Sequence, residues 1–529
     1  MGLWAKSAVI FNSIRDRGKQ SVRQLADQTG LSKSSVHRHL QAIKRRDRYP
    51  ESWFWETEAG RTWLIRLVVA TLFVFGLKRG VGAETMREFF GRLHLGAHVG
   101  CSPSALRHVM HTLERIILET GAAWEQEGMA HGEIRPVMGA VDETFLQRLM
   151  LVFMDLSSGY LMMEDIAVDG SYDTWYDLVN TRLKALGTGV LYLVRDRAKA
   201  LVKLAHTGLG CLSIPDLFHL SHDLAKGYSL SIFSRLRQAQ QALTQARQRL
   251  ERLQASQPGR LDVQQAQAAV ESFEASLYHW QAVRRAWRAH LGNLSQIIHP
   301  WRLVDSSPQT SQAVEGQLRD ELQALEALLE SNGLPMKTST LDKVRKQLAG
   351  VSALVDFWWQ TVRQDLQQMA MTPRWQQWVE EVLLPLMYWQ AQRSRTRSRS
   401  QKAQIAFVLP LVQEAFERHP CTALLIAEML DGWHLWAGDH VRAFQRASSA
   451  VEGRNGYLSQ MQHNHRGLPM RRYPVWTVVH NFDCRAKDGT TPAVRFFRRA
   501  FPDLFERILS QVDALPLPRK RHQATEASD

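Results

Sequence analysis

Four apolar runs of strand-like character lie within residues 136–199, and the first and the last of them each lead into an aspartate. The first run leads into Asp142, and the run Leu-Tyr-Leu-Val-Arg leads into Asp196. Between them, residues 149–155 and 160–168 indicate two further strands, joined by the turn sequence Ser-Ser-Gly. The segment therefore predicts four strands, with acids at the ends of the first and the last.

A helix separates the third strand from the fourth. Residues 171–186 carry apolar side chains at helical spacing and stop at Gly187, a typical residue after a helix end. Such a crossover lets the fourth strand pair parallel to the first, because parallel strands need a long connection. Asp142 and Asp196 would then lie side by side at one end of the sheet. Residues 210–219 predict a fifth strand.

Two histidines follow that fifth strand. His219 and His222 are three residues apart, and Asp223 is next to them. A metal-ligand role is one interpretation, and a strand-to-loop transition with hydrogen-bonded histidines is the other. We favour the second interpretation.

The N-terminal pattern is typical of a helix-turn-helix. Val22, Leu25 and Ala26 give a first helix its apolar face, Gly30 makes the turn, and Ser32 caps a second helix. The outer face of that second helix suits the major groove of DNA. Its predicted DNA-binding residues are Lys33, Ser34, Ser35, His37, Arg38 and Gln41. A weaker second copy at about 84–118 either contacts DNA or supports the core.

From Ser234 onward the composition changes to Gln, Ala, Arg and Leu, without strand alternation. Apolar residues recur at spacings of three and four, which predicts an antiparallel helical hairpin followed by further helices. Residues 440–461 predict a single helix on which Ser448 and Glu452 share a face. An isolated glutamate on a helix is usually solvated. The two strand-end aspartates are what make Glu452 a candidate site residue.

The charge balance favours a polyanionic partner. The 529 residues include 66 Lys and Arg against 52 Asp and Glu, a formal net charge of +14. Four cysteines without a Cys-x-x-Cys pair argue against a zinc knuckle and fit a reducing compartment. The N-terminal residues lack a signal-peptide plan, and the apolar run 64–77 is interrupted by Arg66. We therefore expect a buried helix at 64–77 and a cytoplasmic protein with no membrane partner.

Asp142, Asp196 and Glu452 in these positions resemble the Asp-Asp-Glu (DDE) triad of transposases encoded by bacterial insertion sequences. The stretch Ser-Ala-Val-Glu-Gly-Arg-Asn around Glu452 is similar to the family's glutamate region. The later Asn-Phe and Gly-Thr-Thr-Pro-Ala resemble the ending common after its catalytic helix. Glu428 and Asp431 are rivals that rank lower, because neither is followed by Arg-Asn.

The resemblance implies an α/β ribonuclease H-like core, a mixed five-stranded sheet flanked by helices. An N-terminal all-α helix-turn-helix region precedes it, and a large all-α insertion interrupts it. The implied divisions are a DNA-binding region at 1–130, core segments at 131–233 and 436–510, a helical insertion at 234–435 and a basic, polar tail at 511–529.

The resemblance also implies a chemistry. Asp142, Asp196 and Glu452 would be both catalytic and metal-binding, holding two Mg²⁺ ions for which Mn²⁺ can substitute. Arg454 and Asn455 would contact the DNA backbone, although Asn455 could equally cap local structure. The implied partner is double-stranded DNA, both the ends of the mobile element and the target DNA. Further copies of the chain are implied to assemble on that DNA. The alternatives are a catalytically inactive, transposase-derived DNA-binding regulator and, less favoured, a nuclease without strand transfer.

Overall fold

The structure is a computed structural model that describes residues 3–47, 49–256, 259–464 and 470–518. These residues are mostly helical, with one small mixed sheet of five strands. The predicted N-terminal helix-turn-helix region and the predicted mixed five-stranded sheet are present. Residues 519–529 of the predicted tail lie outside the described part of the chain.

Seven α-helices precede the sheet. They are α1 (Leu3–Arg17), α2 (Val22–Thr29), α3 (Lys33–Arg46), α4 (Ser52–Glu56), α5 (Glu58–Thr71), α6 (Ala83–Arg92) and α7 (Pro103–His131). A π-helical turn at Leu72–Leu77 continues α5, and a 3₁₀ turn at Leu95–Ala97 follows α6.

Helices α2 and α3 form the predicted helix-turn-helix, and α1 packs against both. Gly30 ends α2 in the left-handed conformation, with φ of +67°. Ser32 Oγ accepts a hydrogen bond from Ser35 N at 3.3 Å and so begins α3. The three helices enclose a small core of Ile10, Leu25, Ala26, Val36 and Ile43.

The predicted buried helix is the second half of α5 with the π-helical turn after it. By length and composition alone, Glu58–Leu77 could cross a membrane. A single helix of this kind is only weak evidence for a membrane span. Half of the most apolar stretch of this segment is buried inside the protein. There Leu64, Val68 and Leu72 pack in the same cluster as α7. Arg66 Nη1 pairs with Glu506 Oε1 at 2.7 Å on the exposed side.

The sheet has the strand order β3-β2-β1-β4-β5. Its strands are β1 (Val137–Leu146), β2 (Arg148–Asp155), β3 (Leu161–Ala167), β4 (Val190–Arg195) and β5 (Leu212–Pro215), with α8 (Tyr172–Leu186) and α9 (Lys199–Lys203) between them. β1, β2 and β3 pair antiparallel, whereas β1, β4 and β5 pair parallel. The predicted parallel pairing of the first and fourth strands, across a helix ending at Gly187, is confirmed.

The two faces of the sheet pack against different parts of the chain. Met138 and Ala140 of β1 and Val194 of β4 belong to a cluster that includes the helical insertion; we call this side the insertion face. The opposite face, with Val141 and Leu193, packs against α7 and α8. Because α7 is buried along its length in this cluster, the predicted second helical pair supports the core. Any contact of that pair with DNA stays a prediction.

The predicted fifth strand at 210–219 is wrong in extent. β5 ends at Pro215, and the side chain of Asp216 then caps a long helix by accepting a hydrogen bond from Phe218 N at 2.9 Å. A residue that caps a helix cannot continue a strand. His219 and His222 therefore lie in the first two turns of a helix instead of in a loop.

Between β5 and residue 444, the described residues form nine α-helices, which include the predicted insertion; we call this region the helical insertion. They are α10 (Leu217–Ala255), α11 (Arg260–Ile297), α12 (Ser311–Ser331), α13 (Thr338–Gln368), α14 (Pro373–Trp378), α15 (Leu384–Arg395), α16 (Arg399–Arg418), α17 (Pro420–Ala423) and α18 (Ala427–Ala443), with a π-helical turn at Val379–Leu383. α10 and α11 form the predicted hairpin. The predicted divisions at 233/234 and 435/436 stay predictions, but both lie within continuous helices, α10 and α18.

The chain returns to the insertion face through its last helices. These are α19 (Ser449–Asn464), α20 (Arg472–Asp483), α21 (Pro492–Phe497) and α22 (Leu504–Leu509). The single helix predicted at 440–461 is in fact two. Residues 444–448 break it because their backbone bonds to the core: Gln445 N donates to Tyr192 Oη at 3.0 Å, and Arg446 O accepts from Leu217 N at 3.2 Å.

A buried ion pair fixes α19 against the sheet. Arg454 Nε and Nη2 lie 2.5 and 2.7 Å from the two carboxylate oxygens of Glu164 on β3. Thr477 Oγ1 of α20 donates to the same carboxylate at 2.5 Å. Arg454 is 6% exposed and Glu164 7%. The predicted contact of Arg454 with DNA is therefore wrong, because its guanidinium is buried and donates its hydrogen bonds to Glu164.

We expect Arg454→Leu to lower the free energy of unfolding by about 3–5 kcal/mol, because it leaves the Glu164 carboxylate buried without its cation. Thermal unfolding of the full chain measures this. Arg249→Leu, on the exposed surface of α10, is the control and should change stability by less than about 0.5 kcal/mol. An Arg454→Leu protein that unfolds like wild type but loses DNA affinity would return Arg454 to the DNA interface.

Candidate functional site

Asp142 lies within β1, beside the carboxyl end of β4, and not at the end of its own strand as predicted, because β1 continues to Leu146 in its pairing with β2. Strand alternation places it on the insertion face with Met138 and Ala140, and places Glu143 on the opposite face. There Glu143 Oε1 accepts a hydrogen bond from Trp175 Nε1 at 2.9 Å. Asp142 Oδ2 accepts a hydrogen bond from Asn455 Nδ2 of α19 at 2.6 Å.

Asp196 follows β4 directly. Ala140 pairs with Val194 in the parallel register, so two residues further along each strand Asp142 is level with Asp196. Neighbouring strands are about 4.8 Å apart, and the backbones of the two aspartates are therefore adjacent. Asp196 Oδ1 accepts a hydrogen bond from Ala198 N at 2.8 Å, which shapes the turn into α9.

Glu452 and His219 are brought together by Asp216. This aspartate is 1% exposed and caps α10, which carries His219 in its first turn. The same carboxylate accepts hydrogen bonds from Ser448 N at 3.1 Å and from Ser448 Oγ. Ser448 directly precedes α19, which carries Glu452 in its first turn. One buried acid thus joins the starts of both helices.

The result is a compact group of possible metal ligands. Asp142, His219 and Glu452 each offer one ligand atom, and these atoms lie within 4.8 Å of one another. His219 Nε2 is 3.4 Å from Glu452 Oε1 and 3.7 Å from Asp216 Oδ2. The carboxylate of Asp196 is not in this group, although its backbone is adjacent. Glu428 and Asp431, the rivals of Glu452, are exposed on α18.

The acids of this group repel one another. Burial, and after it the negative charge of Glu452, raises the pKa of Asp142 to about 7; the charge of Asp196 acts in the same direction. At neutral pH the site therefore favours a proton or a cation near Asp142. This is the behaviour expected of carboxylates gathered for metal binding.

Some of the residues predicted to contact DNA are exposed and others are buried. Lys33, Ser34, His37, Arg38 and Gln41 are exposed on α3, as predicted. Ser35 is corrected: it is 7% exposed, because it lies one turn before the buried His39 on the inner side of the helix. Asn455, 8% exposed, is corrected as well: its amide is directed at Asp142, so it belongs to the acid site instead of a DNA-backbone contact.

Two residues of the site were missed or undervalued from sequence. Asp216 ends its strand run, as Asp142 and Asp196 end theirs, and that repeated pattern was the signal available. His219 was weighed as a ligand, but the overlong fifth strand placed it in a loop. Both depend on the position where α10 begins, which Pro215 and Asp216 mark together.

Comparison with known families assigns two parts of the chain. The IclR helix-turn-helix domain matches residues 5–46. An N-terminal IclR-type DNA-binding domain is present. A family of unknown function (DUF6399) matches residues 379–524, which include α19 with Glu452 and Asn455. Asp142, Asp196 and His219 lie outside that match. No curated protein matches the chain.

The raised pKa of Asp142 predicts a pH-dependent stability. In the unfolded chain, an aspartate has a pKa of about 4. Between pH 4 and 7 the folded state therefore retains a proton that the unfolded state releases. This contribution lowers stability as pH rises through that window. In EDTA, Asp142→Asn should therefore stabilise the fold by on the order of 2 kcal/mol at pH 8 and have little effect near pH 4.

Thermal unfolding at several pH values measures this difference. Glu428→Gln, an exposed acid on α18, is the control and should follow wild type throughout. A stabilisation by Asp142→Asn that is the same at pH 4 and pH 8 would show that Asp142 is ionised in the folded protein across this range.

Proposed function

We propose that the protein is a DDE-type transposase that cuts and joins DNA at the acid site. The observation that carries this proposal is the meeting of Asp142 and Glu452, which are distant in sequence, beside the strand end that bears Asp196. The strand order and the mixture of parallel and antiparallel pairing agree with the ribonuclease H-like core that the resemblance implies.

DNA is the proposed substrate because DNA binding has independent support. The IclR-type domain indicates a DNA partner, and the exposed face of α3 offers Lys33 and Arg38 to phosphates and His37 and Gln41 to base edges. The net charge of +14 favours the same partner. We propose that this domain recognises the element ends, and that copies of the chain assemble on the DNA.

The site's donors fit divalent cations. Asp142 and Glu452 supply carboxylate oxygens, and their mutual repulsion is relieved by positive charge. Among the described residues, Asn455 Oδ1 is a buried acceptor without a hydrogen-bond partner, beside Asp142. Bound Mg²⁺ ions would lower the pKa of the attacking hydroxyl group and stabilise the leaving oxygen.

The side chains of the chain itself then have distinct tasks. Asp142, Asp196 and Glu452 would hold the cations, with Asp142 placed between the other two acids. Asn455 orients the Asp142 carboxylate through its 2.6 Å hydrogen bond. Asp216 positions Glu452 through Ser448. Asp142 stands on a strand and Glu452 in the first turn of a helix, and such elements hold side chains more precisely than loops do.

Metal-dependent cleavage of a linear DNA that carries the sequences flanking the gene tests the proposal. Wild type should cleave near the element end with Mg²⁺ or Mn²⁺. Asp142→Asn, Asp196→Asn and Glu452→Gln should each reduce cleavage to the level without metal while DNA binding is kept. Removing one ligand leaves the metals mispositioned, and small displacements at a reacting centre have large costs.

Glu428→Gln is the matched control, because it makes the same chemical change on an exposed helix and should cleave like wild type. Activity retained by Glu452→Gln would remove Glu452 from the site. Specific binding without cleavage by wild type would favour a DNA-binding regulator that has lost catalysis.

A further inference from the structure

His219 directs a ring nitrogen into the acid site. It lies in the first turn of α10, and its Nε2 is 3.4 Å from Glu452 Oε1. Its side chain is 32% exposed, so it lines an opening instead of the core. Together with Asp142 and Glu452 it forms the group whose ligand atoms lie within 4.8 Å. The carboxylate of Asp196 is outside this group.

A second observation at the same place points to a ligand. Asn455 is 8% exposed, and its Oδ1 has no hydrogen-bond partner among the described residues. A buried acceptor left without a donor is costly unless something else satisfies it. Its amide is held against Asp142, on the same helix as Glu452. A buried acceptor next to Asp142 is therefore left for a ligand to satisfy.

A nitrogen ligand changes which cation such a site prefers. Mg²⁺ favours oxygen ligands in near-ideal octahedral geometry and keeps most of its waters. Imidazole nitrogen is a softer ligand than carboxylate oxygen and is bound more strongly by first-row transition metals than by Mg²⁺. A site with only oxygen ligands would not prefer a transition metal to Mg²⁺ in this way.

We propose that His219 is a direct ligand, with Asp142 and Glu452, of one divalent cation, and that this position takes a first-row transition metal such as Mn²⁺ in preference to Mg²⁺. This assignment rests on the proposed metal-dependent function of the same site. Asp196, one strand away, is then left for the second cation. The helical insertion thus supplies a ligand, because His219 stands on the first turn of its first helix.

Electron paramagnetic resonance of Mn²⁺ bound to the full-length protein tests the assignment. Pulsed spectra of wild type should contain a nitrogen coupling from a directly bound imidazole. His219→Asn should remove that coupling and weaken Mn²⁺ binding by about tenfold or more, while Mg²⁺ binding, measured by competition, changes far less. In wild type, Mg²⁺ should displace Mn²⁺ only at about tenfold or higher concentration.

His222→Asn is the matched control. His222 lies three residues later on the same helix and is exposed, so its loss should leave both the coupling and the affinity unchanged. Asp142→Asn should weaken Mn²⁺ binding along with His219→Asn, since both side chains would hold the same ion. The wild-type spectrum needs no variant to fold, so the central result does not depend on the mutants.

A wild-type spectrum without nitrogen coupling, or a coupling that persists in His219→Asn, overturns the ligand assignment. If cleavage still depends on the three acids, the proposed function survives that result. Conversely, a coupling lost in His219→Asn from a protein that cleaves no DNA supports the ligand assignment and contradicts the proposed function. The spectroscopic and cleavage results therefore separate the two.

Discussion

The candidate site depends on the buried carboxylate of Asp216. One oxygen caps α10 through Phe218 N, and the same group accepts two hydrogen bonds from Ser448 at the start of α19. These helices begin more than 200 residues apart in the chain. A buried acid that is 1% exposed is tolerated only when hydrogen bonds compensate its desolvation. That requirement fixes both helix starts, and with them His219 and Glu452, relative to the sheet.

The buried charges near the site are of two kinds: those that pair with each other in the core and those that face the site. Arg454 and Glu164 neutralise one another in the core, so α19 is held without using the site's acids. Among the described residues, Asp142 and Glu452 are not paired with an arginine or a lysine, and the charge of Glu452 contributes to the raised pKa of Asp142. Under the proposed function, the facing carboxylates of Asp142 and Glu452 would be held ready for a cation.

The neighbourhood of Asp142 and Asp196 could be predicted from sequence because strand alternation and a crossover helix are local patterns. The end of β1 could not: the strand continues past Asp142 to Leu146, because residues 143–146 pair with β2. Glu452 could be proposed from its neighbours Arg454 and Asn455, yet the roles of those neighbours could not. Whether a polar side chain is directed inward depends on the partner, here Glu164 and Asp142, that tertiary packing places opposite it. The start of α10 was mistaken for strand, since Leu217, Phe218 and Leu220 are apolar in either conformation and only the cap at Asp216 decides between them.

The most direct test is a crystal structure of the protein grown with Mn²⁺, with the ion located by its anomalous scattering. The convergence of Asp142 and Glu452 predicts a peak within coordination distance of both carboxylates on the insertion face of the sheet. Mn²⁺ bound only elsewhere, with these two carboxylates apart and in water, would contradict a metal-dependent site at this position.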